Sequence, residues 1–213
     1  MLTLYHAPQS RGVIARWMLE EVGEPYEVHA LSLKMGENRQ AAYLAVNPMG
    51  KVPALDHDGV VVTEAAAICC YLADAFPKAG LAPPLGDRRR GPYLKWLFFG
   101  PGSLEPAVID RVLKREAGPK SMLGYGDCDT MLEVVARAVA AGPYLLGDAF
   151  TAADVVICSG LNWGMMAKAL PERAEITRYV ARIAERPARR RVMEKDVALL
   201  REMAGDRLQQ GSR

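Results

Sequence analysis

A chain of 213 residues, half of them hydrophobic, is long enough for one large or two small domains with a real core. Its formal charge of +2 gives no electrostatic basis for binding nucleic acid or an anionic membrane. The four cysteines, Cys69, Cys70, Cys128 and Cys158, form neither a C-x-x-C pair nor a zinc spacing, which argues for a reducing compartment. No charged-then-apolar leader opens the chain, and no apolar run approaches the ~20 residues that span a bilayer. A cytoplasmic protein is expected. Arg88 to Arg90 and Arg189 to Arg191 read as solvated helix surface or helix ends, because no recognition motif accompanies them.

Leu2 to Tyr5 reads as a short strand, and His6 to Ser10 as a loop. From Arg11, apolar residues recur at helical spacing (Ile14, Trp17, Met18, Val22) until Gly23 and Pro25 stop the helix. Tyr26, Val28 and Ala30 alternate as in a strand. The resulting β-α-β unit implies parallel pairing and a right-handed crossover. A short helix runs to Leu44. Lys51 to Leu55 reads as a strand, Asp56 to Gly59 as a hairpin turn, and Val60 to Val62 as the returning strand. Thr63 is expected to cap a helix with Glu64 in its first turn, reaching about Phe76. The order β-α-β-α-β-β-α is that of the thioredoxin-like fold.

The proline-rich stretch 77–87 reads as a linker. Beyond it every periodic segment is helical. Tyr93 to Phe99 is interrupted by Pro101-Gly102 and resumes at Leu104, and Cys128 to Ala141 ends at Gly142-Pro143. Thr151-Ala-Ala-Asp154 is a capping-box pattern ahead of a helix apolar on nearly every face, expected to be the buried centre of a second domain. The expected organisation is an α/β thioredoxin-like domain at 1–76, a linker at 77–87, an all-α domain at 88–205 and a polar tail at 206–213.

Two stretches carry possible chemistry. Val52, ahead of Pro53, has main-chain groups able to pair with an extended peptide as another strand would, and the helix after Thr63 offers N–H groups suited to a carboxylate. The same residues also suit an ordinary hairpin feeding a helix. Ser10, just before the first helix, either caps that helix or hydrogen-bonds a bound thiolate. Residues 8 to 11 are Pro-Gln-Ser-Arg, without sulfur, so thiol–disulfide exchange at this loop is not expected.

Four segments, LYHAPQSRGVIARWMLEE, NPMGKVPAL, TEAAAICCYL and LLGDAFTAADV, resemble the glutathione transferase family in order and spacing. The resemblance is to cytosolic, bacterial-like members of the serine type. It implies a homodimer that uses glutathione as co-substrate, needs no metal, and adds the thiolate to a small apolar electrophile in detoxification. Isomerisation, dehalogenation, peroxide reduction, and ligand binding with little turnover share the scaffold.

The resemblance also implies roles for residues. Ser10 matches the family's catalytic serine, with Arg11 as an electrostatic rival and Tyr5 and His6 as weaker ones. A free thiol of pKa ~8.5 is only about 3% ionised at neutral pH. One hydrogen bond to the thiolate, worth ~1.5–3 kcal/mol, moves it by roughly one to two pKa units. Lys51, Val52 and Pro53 match the family's contacts to the glycyl and cysteinyl parts of glutathione. Glu64 and Ala65 match the pair near the γ-glutamyl group, and the chain departs from the family by having alanine where a serine is usual. Phe98, Phe99, Trp163 and Met166 are the expected electrophile contacts, and Asp154 is expected to be a structural cap.

Overall fold

The computed structural model describes residues 1–116 and 118–210, the last five of these by backbone alone. Contacts divide the chain into two units. One is Met1–Leu72 together with the chain from Pro187 onward, and the other is Ala73–Arg186.

The first unit holds β1 (Leu2–His6), α1 (Gly12–Val22), β2 (Tyr26–Ala30), α2 (Ala41–Leu44), β3 (Ala54–His57), β4 (Val60–Thr63) and most of α3 (Ala65–Ala75). The sheet order is β2-β1-β3-β4, with β1 parallel to β2, β3 antiparallel to β1, and β4 antiparallel to β3. The thioredoxin-like order is therefore present. Helix α1 stops where expected: Gly23 takes the left-handed conformation at φ 82°, and its N–H closes on the Leu19 carbonyl. The α1 side chains Ala15, Trp17, Met18 and Leu19 pack into a core with Leu4, Leu55, Ile68 and Leu72. The hairpin turn is shorter than expected. His57 still belongs to β3, and Asp58 and Gly59, both at positive φ, form the two-residue connection.

A last helix, α9 (Pro187–Gln210), packs on α1. Its Asp196 and Arg191 reach the buried Arg16 and Glu20 of α1. The helix continues through 206–210, where a tail was expected, while 211–213 lie outside the described residues. The final helix thus groups with the first unit and not with the helical one. Both arginine runs lie at helix starts, as one of the two expectations had it, and members of each make ion pairs. Arg191 pairs with Glu20, and Arg90 pairs with Asp74.

The second unit is helical: α4 (Arg90–Phe99), α5 (Glu105–Val112), α6 (Cys128–Ala140), α7 (Ala152–Met166) and α8 (Ala174–Ala184). The expected interruption at Pro101-Gly102 is a π-helical stretch, Gly100–Leu104, that joins α4 to α5. Every residue from Ala152 to Cys158 on α7 is buried, which confirms it as the central helix. Asp154 is the cap that the sequence suggested. Its carboxylate accepts from the Thr151 and Leu145 N–H groups and the Tyr179 hydroxyl, each at 2.9 Å, and from the Thr151 hydroxyl at 3.1 Å. Burial pushes its pKa up, and the four bonds oppose that.

Candidate functional site

The strand register brings the expected residues of the first unit to one end of the sheet. Tyr5 on β1 lies opposite Ala54 on β3, and Ala54 lies opposite Thr63 on β4. The end of β1, the start of β3 and the end of β4 are therefore level. The loop with Ser10 and Arg11, the Lys51-Val52-Pro53 segment and the Glu64-Ala65 pair all emerge there, as do the N-termini of α1 and α3. A ligand at this end meets free helical N–H groups, which favour negative charge.

Pro53 is buried and follows a cis peptide bond from half-buried Val52. Among the described residues, neither the N–H nor the C=O of Val52 makes a hydrogen bond. The preceding peptide is held firmly. The Lys51 carbonyl accepts from the Tyr43 hydroxyl at 2.5 Å and from Asn47 Nδ2 at 2.8 Å. In a trans peptide the N–H points opposite to the carbonyl, so this double anchor aims the Val52 N–H away from the loop. Asn47 is itself buried, and its Oδ1 accepts from the Met49 N–H at 3.1 Å. Gly50, at φ 59°, lets the turn close, because a β-carbon there would lie 2.8 Å from the Asn38 carbonyl oxygen. Sequence reasoning passed over Tyr43 and Asn47. The Asn-Pro turn was the available signal, since asparagine in a turn commonly bonds nearby main chain.

Thr63 ends β4 and does not cap α3, which begins at Ala65 with no acidic residue in its first turn. Glu64 sits between them at φ 68°. A left-handed glutamate is uncommon, and such residues cluster at ligand sites. The strained turn points the N–H groups at the start of α3 toward the same end of the sheet. The side chain of Glu64 is exposed, and Ala65 is half-buried. Lys51 is exposed as well.

Ser10 is half-buried and already engaged. Its hydroxyl donates to the Ala7 carbonyl at 2.6 Å and accepts the Gly12 N–H at 2.9 Å. Arg11 follows as the exposed N-cap position of α1. The cap-like role of Ser10 is thus present without a ligand, and thiolate binding requires the hydroxyl to leave Ala7. Tyr5 makes tilted ring contacts with His29 and Tyr43, at centroid distances of 5.1 and 5.7 Å. His6 is fully buried.

The four apolar candidates belong to the second unit. Phe98 and Phe99 end α4, just before Gly100 packs on Val156 of α7. Trp163 and Met166 lie two and three turns further along α7, so the four do not form one cluster in sequence register. Phe98 and Met166 are exposed, while Phe99 packs edge-on to Trp96.

Comparison with known proteins bears on the family and the fold. Residues 1–74 match the family description "Glutathione S-transferase, N-terminal domain". A glutathione transferase structure from Methylococcus capsulatus is 30% identical, with a TM-score of 0.77, over 93% of this chain and 100% of that one. A sphingomonad glutathione S-transferase complexed with glutathione is 28% identical, with a TM-score of 0.74, over 91% of this chain and 98% of that one. Glutathione S-transferase GstA of Escherichia coli O157:H7 is 29% identical over 190 residues, covering 87% of this chain and 94% of that protein. With an N-terminal thioredoxin-like unit, an all-helical second unit and full-length relatives of this kind, the chain belongs to the glutathione transferase family.

Proposed function

We propose that the protein binds glutathione along Val52 and transfers its thiolate to small apolar electrophiles. The observation that carries this is the Val52 main chain, unpaired among the described residues and held in place by the doubly anchored Lys51 carbonyl. The cysteinyl main chain of glutathione adds there as a strand would. Its γ-glutamyl carboxylate meets the N–H groups at Glu64 and Ala65, and Lys51 faces the glycyl carboxylate. Ser10, with Arg11 beside it, stabilises the thiolate at the start of α1. Of the four apolar candidates for the electrophile, Phe98 and Met166 are the exposed ones.

A second reading is a glutathione-binding protein with little turnover. It is favoured by Ala65 in place of the family's usual serine and by the Ser10 hydroxyl being spent on Ala7. Immobilised glutathione should retain the protein and soluble glutathione release it, and a screen of electrophile classes should show thiol consumption. Retention without consumption of thiol favours the binding protein. Absence of any heat on titration to millimolar glutathione removes both readings. The active form is a homodimer in this proposal, supported by exposed Val60 and Val61 on the edge strand β4. A scattering mass of one 23.3 kDa chain rules that out.

A further inference from the structure

His6 ends β1 with its side chain fully buried, and its two ring nitrogens have different surroundings. Nε2 lies 3.1 Å from Asp196 Oδ1, and Arg16 Nη1 donates to the same oxygen at 2.6 Å. Burial alone would raise the Asp196 pKa, but the bonds from His6 and Arg16 outweigh it and hold the carboxyl below its ordinary range. An ionised carboxylate only accepts, so a neutral His6 ring carries its proton on Nε2. Nδ1 is then a bare acceptor. It is buried and has no hydrogen-bond partner, which is costly for a polar atom. It faces the start of α1. A β-carbon on Gly12 would stand 2.4 Å from His6 Nδ1 and 3.0 Å from Ser10 Oγ. Only glycine lets the helix start come this close to the ring, and the imidazole nitrogen and the hydroxyl both lie within 3.0 Å of that one point.

We propose that His6 accepts the proton of the bound thiol by way of Ser10, with Asp196 and Arg16 fixing the ring for that task. The proposal rests on the glutathione reading above. The Ser10 hydroxyl turns from the Ala7 carbonyl toward Nδ1. The S–H bond breaks and its proton moves to Oγ, while the Oγ–H proton moves to Nδ1. The electron pair stays on sulfur as thiolate, the hydroxyl is restored as its hydrogen-bond donor, and the imidazolium is held against Asp196. After the thioether forms, the proton leaves by the same route to the departing group or solvent. Most buried ring nitrogens are paired, and this one is left unpartnered on the side that faces Gly12 and the Ser10 hydroxyl.

The charges that bear on the ring are Asp196 from α9 and Arg16 from α1. Beyond Arg16 stand Tyr26 of β2 and Glu20, the latter paired with Arg191 and Lys195. The β2 residue opposite His6 is the apolar Ala30.

The test measures two quantities in wild type on binding reduced glutathione. Thiolate is read by ultraviolet absorbance, and protons released to bulk are read by calorimetry in buffers of different ionisation enthalpy. We expect fewer protons released than thiolates formed, and the 15N signals of one of the three histidines to move to the doubly protonated position. His6→Gln keeps an N–H for Asp196 and removes the base. It should release one proton per thiolate formed and shift the thiol titration upward by tenfold or more in proton concentration. One proton released per thiolate in wild type, with unmoved histidine signals, overturns the proposal and leaves the glutathione reading intact. No glutathione binding overturns both. The wild-type measurements stand even if the variant does not fold.

Discussion

The hydroxyl of Tyr43 donates to the main-chain carbonyl of Lys51 at 2.5 Å, and the direction of the Val52 N–H follows from that bond. Asn47 supplies the second donor to the same carbonyl. Removing one of two donors lets the peptide plane tilt. Asn47→Ala should therefore weaken glutathione binding about tenfold and cost ~1 kcal/mol of stability, because a part-buried carbonyl loses one of its two donors. Tyr43→Phe should weaken binding with a smaller stability cost, since the ring remains packed. Calorimetric titration and thermal melts check both. Unchanged glutathione affinity in both variants would detach the anchor from the ligand site.

Ser10 separates thiolate activation from helix capping. As a thiolate donor, its replacement by alanine should remove ~1.5–3 kcal/mol of transition-state stabilisation, so roughly ten- to more than a hundredfold in turnover with little change in affinity. The bond to the Gly12 N–H predicts an additional ~1 kcal/mol of lost stability. Arg11→Ala is the paired control. If it raises the pKa of the bound thiol while Ser10→Ala does not, the arginine holds the role.

Ala65 allows a gain-of-function test. It stands at the start of α3, half-buried, at the end of the sheet where the ligand is proposed. Ala65→Ser restores a hydroxyl worth ~1.5–3 kcal/mol against a carboxylate, so glutathione should bind roughly ten- to a hundredfold more tightly. The dissociation constant decides it. No gain would mean that water or the main chain already satisfies the γ-glutamyl carboxylate.

Glu20 couples stability to acid. Burial would raise its pKa, yet bonds from Lys195, Tyr26 and Arg191 hold it at about 2. With the folded value below the ordinary carboxylate value, the unfolded chain binds more protons as pH falls. The stabilisation is complete above the ordinary value and is lost between about pH 5 and about pH 2. Glu20→Gln should melt lower than wild type at neutral pH, and the gap should close on acidification. A constant gap across that range would contradict the assignment.

Much of the first unit was legible because its signals are local. Gly23 and Pro25 marked the end of α1, and Asp58-Gly59 marked the hairpin through its positive φ values. Thr63 misled because threonine suits both a strand and a cap, and only strand pairing with Ala54 decides between them. The role of α9 was invisible for a different reason. Asp196 finds its partners 190 and 180 residues away, at His6 and Arg16, and periodicity carries no information about such distances. The anchoring of Lys51 depended likewise on Tyr43 folding back through α2, which no spacing rule announces.

The docking of α9 on α1 limits how this protein can be divided. A fragment ending at Leu72 contains all four strands of the sheet and the whole proposed glutathione site. It would nevertheless leave Arg16 without Asp196, and Glu20 without Arg191 and Lys195. It would also uncover the apolar surface of the unit against which Ala188 and Val192 of α9 are buried, so the hydrophobic stabilisation of that face is lost with the helix. The thioredoxin-like part is therefore not a transferable cassette, and a workable minimal version needs the distant C-terminal helix grafted back beside α1.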